Sequence, residues 1–133
     1  MITGIAHVCF TVRDLDASIA FYRDKLGLGE AFDFINDAGE RFGVYLRAGR
    51  RTFVELFTGE PAERDDGQSY KHVCLEVDDM DATVAALRAA GVEVTDPTSG
   101  SDRSVQAWLA DPEGNRIELH QYTPRSRQAP HLG

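Results

Sequence analysis

The sequence predicts an α+β fold built from two βαβββ modules in tandem. Three observations predict it: a segment that recurs at a fixed offset, strand-like alternation opening each copy, and a capped amphipathic helix directly after. The recurrence pairs His7-Val8-Cys9-Phe10-Thr11-Val12-Arg13-Asp14-Leu15-Asp16-Ala17 with His72-Val73-Cys74-Leu75-Glu76-Val77-Asp78-Asp79-Met80-Asp81-Ala82. The offset is 65 at both ends (72 − 7 and 82 − 17), and seven of the eleven positions are identical. Ala20 and Ala85, and Arg23 and Arg88, keep the same spacing. A repeat this long marks a duplicated structural unit.

Every element carries its own local signal. Val8, Phe10 and Val12 alternate with His7, Cys9 and Thr11, which suits a strand with one buried face. Val73, Leu75 and Val77 alternate with His72, Cys74 and Glu76 in the same way. Asp14 and Asp79 stand where a helix N-cap is needed. Leu15, Ile19, Tyr22 and Leu26 recur at helical spacing, as do Met80, Val84 and Leu87. Gly27 and Gly91 are placed to end these helices. Asp16 and Asp81 then fall in the first turn, complementing the helix dipole. Strands are expected near 30–36, 41–48 and 52–58, and again near 92–95, 103–110 and 115–122. Asp111-Pro112-Glu113-Gly114-Asn115 is a turn signal before the last of them.

The expected organisation is one domain over residues 1–122, comprising module 1 (1–58), a polar linker (59–70) and module 2 (71–122). Residues 123–133 contain two prolines and no apolar periodicity, and are expected to form a flexible tail.

Composition bounds the function. The chain has 133 residues, 42% of them hydrophobic and 27% charged, with a net charge of −8. This acidic balance argues against a nucleic-acid partner, which needs a basic face. No apolar run approaches the ~18 residues of a membrane span, so no membrane partner is expected. Two cysteines and no leader-like start predict reduced thiols and a cytoplasmic protein.

Four polar residues interrupt the strands at repeat-equivalent places. His7 and His72 open the first strand of each module. Glu55 lies within Phe53-Val54-Glu55-Leu56-Phe57 and Glu118 within Ile117-Glu118-Leu119, 63 positions apart (118 − 55). Each module thus contributes one His and one Glu to the strand face opposite the aliphatic stripe. A carboxylate flanked by apolar groups is costly unless it is paired or metal-bound. Two imidazoles and two carboxylates suit one divalent metal ion: Zn, Ni, Co, Mn or Fe. His7, Glu55, His72 and Glu118 are therefore the expected ligands, in curved mixed sheets enclosing a metal cavity. Gln106, Trp108 and His120 alternate onto the same side and are candidate substrate contacts, as is Thr11. Cys9 and Cys74 share the histidine face and read as small wall residues. Arg13 and Arg103 read as solvated surface charges.

These residues resemble the vicinal oxygen chelate superfamily, which includes glyoxalase I, extradiol dioxygenases and bleomycin resistance proteins. The resemblance covers residues 4–122. It is carried by His7 to Asp16 with Phe21-Tyr22-Arg23 and Leu26-Gly27-Leu28, by His72 to Asp81, and by Asp111-Pro112-Glu113-Gly114-Asn115-Arg116-Ile117-Glu118-Leu119. It implies a glyoxalase-like fold, and the full His-Glu-His-Glu set most resembles small glyoxalase-like proteins.

The resemblance also implies a metal-dependent glyoxalase-I-like lyase or isomerase. It would act on a small α-hydroxycarbonyl or thioester-type substrate through a metal-stabilised enediolate, with Glu118 and Glu55 as proton-transfer groups. Where the family places an Arg for the glutathione carboxylate this chain has Thr11, and where it places an Asn this chain has Gly59. Glutathione is therefore not the expected substrate. The alternatives on the same scaffold are an Fe(II) ring-cleaving dioxygenase, or a non-enzymatic binder of a drug or metabolite. A homodimer is expected, since open sheets leave edges to cover.

Overall fold

The computed structural model describes residues 1–133. Strand β1 (His7–Val12) leads into helix α1 (Leu15–Ile19), whose N-cap Asp14 accepts a hydrogen bond from the Ala17 amide. The helix continues over Ala20–Lys25 with wider, π-type turns. Gly27, at φ 77°, then turns the chain, a conformation that favours glycine. Strands β2 (Gly29–Ile35), β3 (Arg41–Arg47) and β4 (Phe53–Thr58) complete a four-stranded sheet in the order β1-β4-β3-β2. The β1–β4 pair is parallel and the other pairs are antiparallel.

The second copy repeats the plan. Strand β5 (Val73–Glu76) is followed by helix α2 (Met80–Ala89), capped by Asp79 accepting from the Ala82 amide and ended by Gly91 at φ 81°. Strands β6 (Thr98–Ser99), β7 (Val105–Ala110) and β8 (Arg116–Gln121) form a second open sheet, ordered β5-β8-β7-β6. The architecture is α+β, with two mixed four-stranded sheets and few helices, as the repeat predicts.

Two compact units divide the chain. The first holds Met1–Gln68 together with Asp111–Glu113, and the second Ser69–Ala110 with Gly114–Gly133. The turn after β7 thus belongs with the first unit. Buried Tyr22 donates its hydroxyl to Asp111 Oδ2 at 2.7 Å. Glu113 receives the Arg13 amide at 2.7 Å and the Arg13 guanidinium at 2.9 Å. Arg13 also reaches Glu60 at 3.2 Å, so it is a structural tie rather than a solvated surface charge.

The first unit buries Phe10 and Val12 of the stripe its alternation marks, whereas Val73, Leu75 and Val77 of the second are only half-buried. In the first, Phe10, Val12, Leu15, Ile19, Val44, Leu46, Val54 and Leu56 are buried. In the second, Met80, Val84, Leu87, Ala107, Leu109, Ile117 and Leu119 are buried. Truncating a fully buried Leu56 would cost about 2–5 kcal/mol. The opposite face of each sheet is left for other work.

The structure departs from two expectations. The strand expected at 92–95 is absent; β6 is a two-residue strand at Thr98–Ser99. At 95 a side chain replaces half the ladder, because the Trp108 amide donates to Thr95 Oγ1 at 2.9 Å. Residues 123–133, expected as a loose tail, make specific contacts. Ser126 is buried and bonded to Ser104 Oγ at 2.7 Å, Gln128 Nε2 donates to Asp102 Oδ2 at 2.6 Å, and Ala129–His131 form a 3₁₀ turn. No helix is long and apolar enough to cross a membrane.

Candidate metal centre

The first unit places His7 on edge strand β1 and Glu55 on the adjacent β4. The parallel register sets His7 beside Phe53 and Cys9 beside Glu55. His7 Nε2 lies 3.6 Å from Glu55 Oε1. Tyr45, opposite Glu55 on β3, puts its hydroxyl 2.9 Å from His7 Nδ1. With the proton on Nδ1 donated to Tyr45 Oη, the Nε2 lone pair is kept on the Glu55 side, ready for a cation. The two rings meet edge-on, 5.6 Å between centroids.

The second unit builds the equivalent pair with more support. His72, just before β5, brings Nε2 to 3.0 Å from Glu118 Oε2 on β8. Trp108, opposite Glu118 on β7, meets the His72 ring edge-on at 4.7 Å. The Arg116 guanidinium covers the Trp108 ring at 4.9 Å. Glu118 Oε1 is held by His120 Nδ1 at 3.1 Å. His120 Nε2 is buried without a hydrogen-bond partner, 3.6 Å from Asp102 Oδ2. The Gln128 amide and the Ser104 backbone hold the Asp102 carboxyl below its ordinary range.

Ligand atoms of Cys74, Glu118 and His120 all lie within 4.8 Å of one another. Burial, and then the Glu118 charge, push the Cys74 thiol up to about 12. Burial and Glu55 raise the Cys9 thiol as well. Neither cysteine carries a disulfide. Both read as neutral wall groups beside the carboxylates.

The donor chemistry fits a divalent cation. Glu55 and Glu118 expose only 15% and 12% of their side chains, and their only ion-pair partners are imidazoles. A neutral imidazole leaves such a carboxylate uncompensated, which is unfavourable away from water. A divalent metal ion would supply the missing positive charge.

The structure thus brings His7 to Glu55 in one unit and His72 to Glu118 in the other, with Trp108 on His72 and His120 on Glu118. Gln106 stands opposite His120 in the β7–β8 register, against Gly100. Thr11 packs against Gly59, where an added Cβ would meet its Cγ2 at 2.7 Å. Sequence reasoning missed Tyr45 and Asp102. Tyr45 had a signal, since it lies 63 positions before Trp108, the interval that relates Glu55 to Glu118 (108 − 45). Asp102 sits in a turn and obeys no period.

Comparison with known proteins gives this geometry a family. The chain is 34% identical to a probable lactoylglutathione lyase of Vibrio parahaemolyticus, over 88% of this chain and 89% of that one. It is 30% identical to the metallothiol transferase FosB of Staphylococcus epidermidis, over 95% and 87%. Among solved structures it resembles TnmS3, an antibiotic binding protein from Streptomyces sp. CB03234. The TM-score there is 0.75 at 28% identity, covering 92% of this chain and 98% of that one. A family model matches residues 4–119, which include both His–Glu pairs. The duplicated βαβββ scaffold and this match agree: the chain belongs to the Glyoxalase/Bleomycin resistance protein/Dioxygenase superfamily.

Proposed function

We propose that His7, Glu55, His72 and Glu118 hold one divalent cation, and that the protein is a lyase or isomerase of a small substrate with adjacent oxygens. The observation that carries this is the pair of repeat-equivalent His–Glu contacts, at 3.6 and 3.0 Å, whose carboxylates pair only with imidazoles. Relatives named lactoylglutathione lyase support the reaction class. Ni, Co, Zn, Mn and Fe all suit the donors.

The bound cation would supply Lewis acidity to the substrate oxygens. Glu118 acts as the general base that takes and returns a substrate proton, with His120 Nδ1 holding its Oε1 and fixing its orientation. Glu55 serves the opposite side of the substrate. Trp108 and Tyr45 hold their histidines in place. The Thr11–Gly59 contact offers no cation to a glutathione carboxylate, which weakens recognition of that tripeptide. The working assembly is a homodimer that covers the open sheet edges.

Metal content of protein purified without chelator tests the ligand set. About one divalent ion per chain is expected, and its loss on replacing either histidine. Turnover on a panel of hemithioacetals and α-hydroxycarbonyls should fall by about 10²–10⁴-fold in Glu118→Gln. Unchanged turnover in that variant rejects its role as base. The likeness to an antibiotic binding protein favours a second reading, a non-catalytic binder. Ligand binding that persists undiminished in chelator, with no turnover on the panel, would select it.

A further inference from the structure

Beside the His7–Glu55 pair the first unit carries a continuous run of aromatic rings. Phe32 stacks on Tyr45 at 4.9 Å, and Tyr45 stacks on Phe53 at 4.7 Å, with interplanar angles of 24° and 27°. Phe34 meets Phe32 at 5.2 Å and Phe57 at 4.8 Å. Tyr45 belongs to both the ring run and the metal pair, since its hydroxyl contacts His7 Nδ1 at 2.9 Å.

This surface is shaped. Gly43 leaves room for the Phe57 ring, because a Cβ there would lie 2.5 Å from ring carbon Cδ1 and 2.8 Å from the Leu56 carbonyl. It is also exposed, with Phe32 49% accessible. The rings form an apolar group that a flat apolar ligand can cover by stacking, with Phe32 the most accessible of them. These few rings offer roughly 200–300 Å², well short of the roughly 800 Å² per partner that a stable protein interface buries. The occupant is therefore small and flat.

We propose that the substrate carries an apolar aryl group that stacks on Phe32, Phe34 and Tyr45 while its paired oxygens address the cation site at His7 and Glu55. The inference rests on the metal reading above. It assigns recognition to ring stacking, with the Arg47 guanidinium lying over the Phe53 ring at 5.1 Å at the end of the run.

The test compares two chelators with one head group, acetohydroxamate and 2-naphthohydroxamate. Both are titrated calorimetrically into metal-free and cobalt(II)-loaded full-length protein. On the cobalt form the naphthyl compound should bind about 30-fold tighter, the value expected for roughly 80 Å² of added apolar burial. On the metal-free form it alone should bind. Phe32→Ser with Phe34→Ser should remove the preference and leave acetohydroxamate affinity on the cobalt form unchanged. Phe32→Leu, which keeps an apolar side chain on the strand, should reduce the preference by about threefold, as expected for loss of one ring stack.

Equal affinity for the two compounds overturns the proposal, and so does a preference that survives the double substitution. Sedimentation of the same variants completes the test. A dimer that dissociates on Phe32→Ser, with no naphthyl preference in the wild type, assigns the rings to a second copy and overturns it. If cobalt does not bind, the metal reading fails on its own, and ring recognition is still read from the metal-free titration.

Discussion

The two units share one plan, yet their open faces have diverged. In the first, His7 and Glu55 sit 3.6 Å apart among stacked rings, with Tyr45 supporting the imidazole. In the second, His72 and Glu118 sit 3.0 Å apart, and Glu118 is gripped from its other oxygen by His120. Residues of the chain's end reinforce that side through Gln128 and Asp102. Strand β8 is buried continuously over Ile117–His120, whereas β4 alternates buried and half-buried positions. Duplication gives two equal donor pairs. Divergence of their neighbours sets stacked rings beside one pair and a second imidazole on the other.

The cysteines should show the widest gap between the halves. Cys74 lies opposite Glu118 and Cys9 opposite Glu55. With the Cys74 thiol moved from 9.0 to about 12, its thiolate population near pH 8 is lower by about a thousandfold. In metal-free protein, iodoacetamide should therefore modify Cys9 before Cys74, read by peptide mass mapping. Stability shifts with the same titration. A thiol titrating higher in the folded chain favours folding below the ordinary thiol range and loses that contribution as pH rises through about 12. Equal reactivity of the two thiols would mean that burial does not separate them.

The supports of the two carboxylate–imidazole pairs give the next largest effect. Removing a group that orients a metal ligand typically costs 10–100-fold in affinity or activity. His120→Ala should fall near the upper end, because it releases Glu118 Oε1. Tyr45→Phe should fall near the lower end, since the ring remains and only its hydroxyl is lost. Cobalt affinity and kcat measured side by side would check this, and the reverse order would contradict this ranking.

Two glycines supply the smallest effect. At Gly43 an added methyl meets the Phe57 ring and a backbone oxygen, while at Gly100 it meets only the side-chain ends of Gln106 and Asp102. Gly43→Ala should destabilise the protein by about 1–3 kcal/mol, and Gly100→Ala by less than half as much. Denaturant midpoints would measure both.

Much of this was legible in the chain. The repeat set the two-module plan, alternation marked the buried stripes, and Asp14 and Asp79 marked helix starts, because these depend on neighbours a few residues apart. The 92–95 segment misled for the same reason. Its local pattern suits a strand, but Thr95 Oγ1 takes the place of a ladder acceptor and pairing begins only at Thr98. The contacts of residues 123–133 were hidden too, since Ser126 and Gln128 meet Ser104 and Asp102 across more than twenty positions.

Periodicity and side-chain direction, both written in the chain, were enough to establish the duplication, the strand faces and the pairing of each His with a Glu. Folding in three dimensions was needed to bring Tyr45 and His120 against those pairs, to join Asp111 and Glu113 to the first unit, and to gather aromatic rings on one face. Such contacts depend on register between strands and on where loops return, and no short-range pattern encodes either.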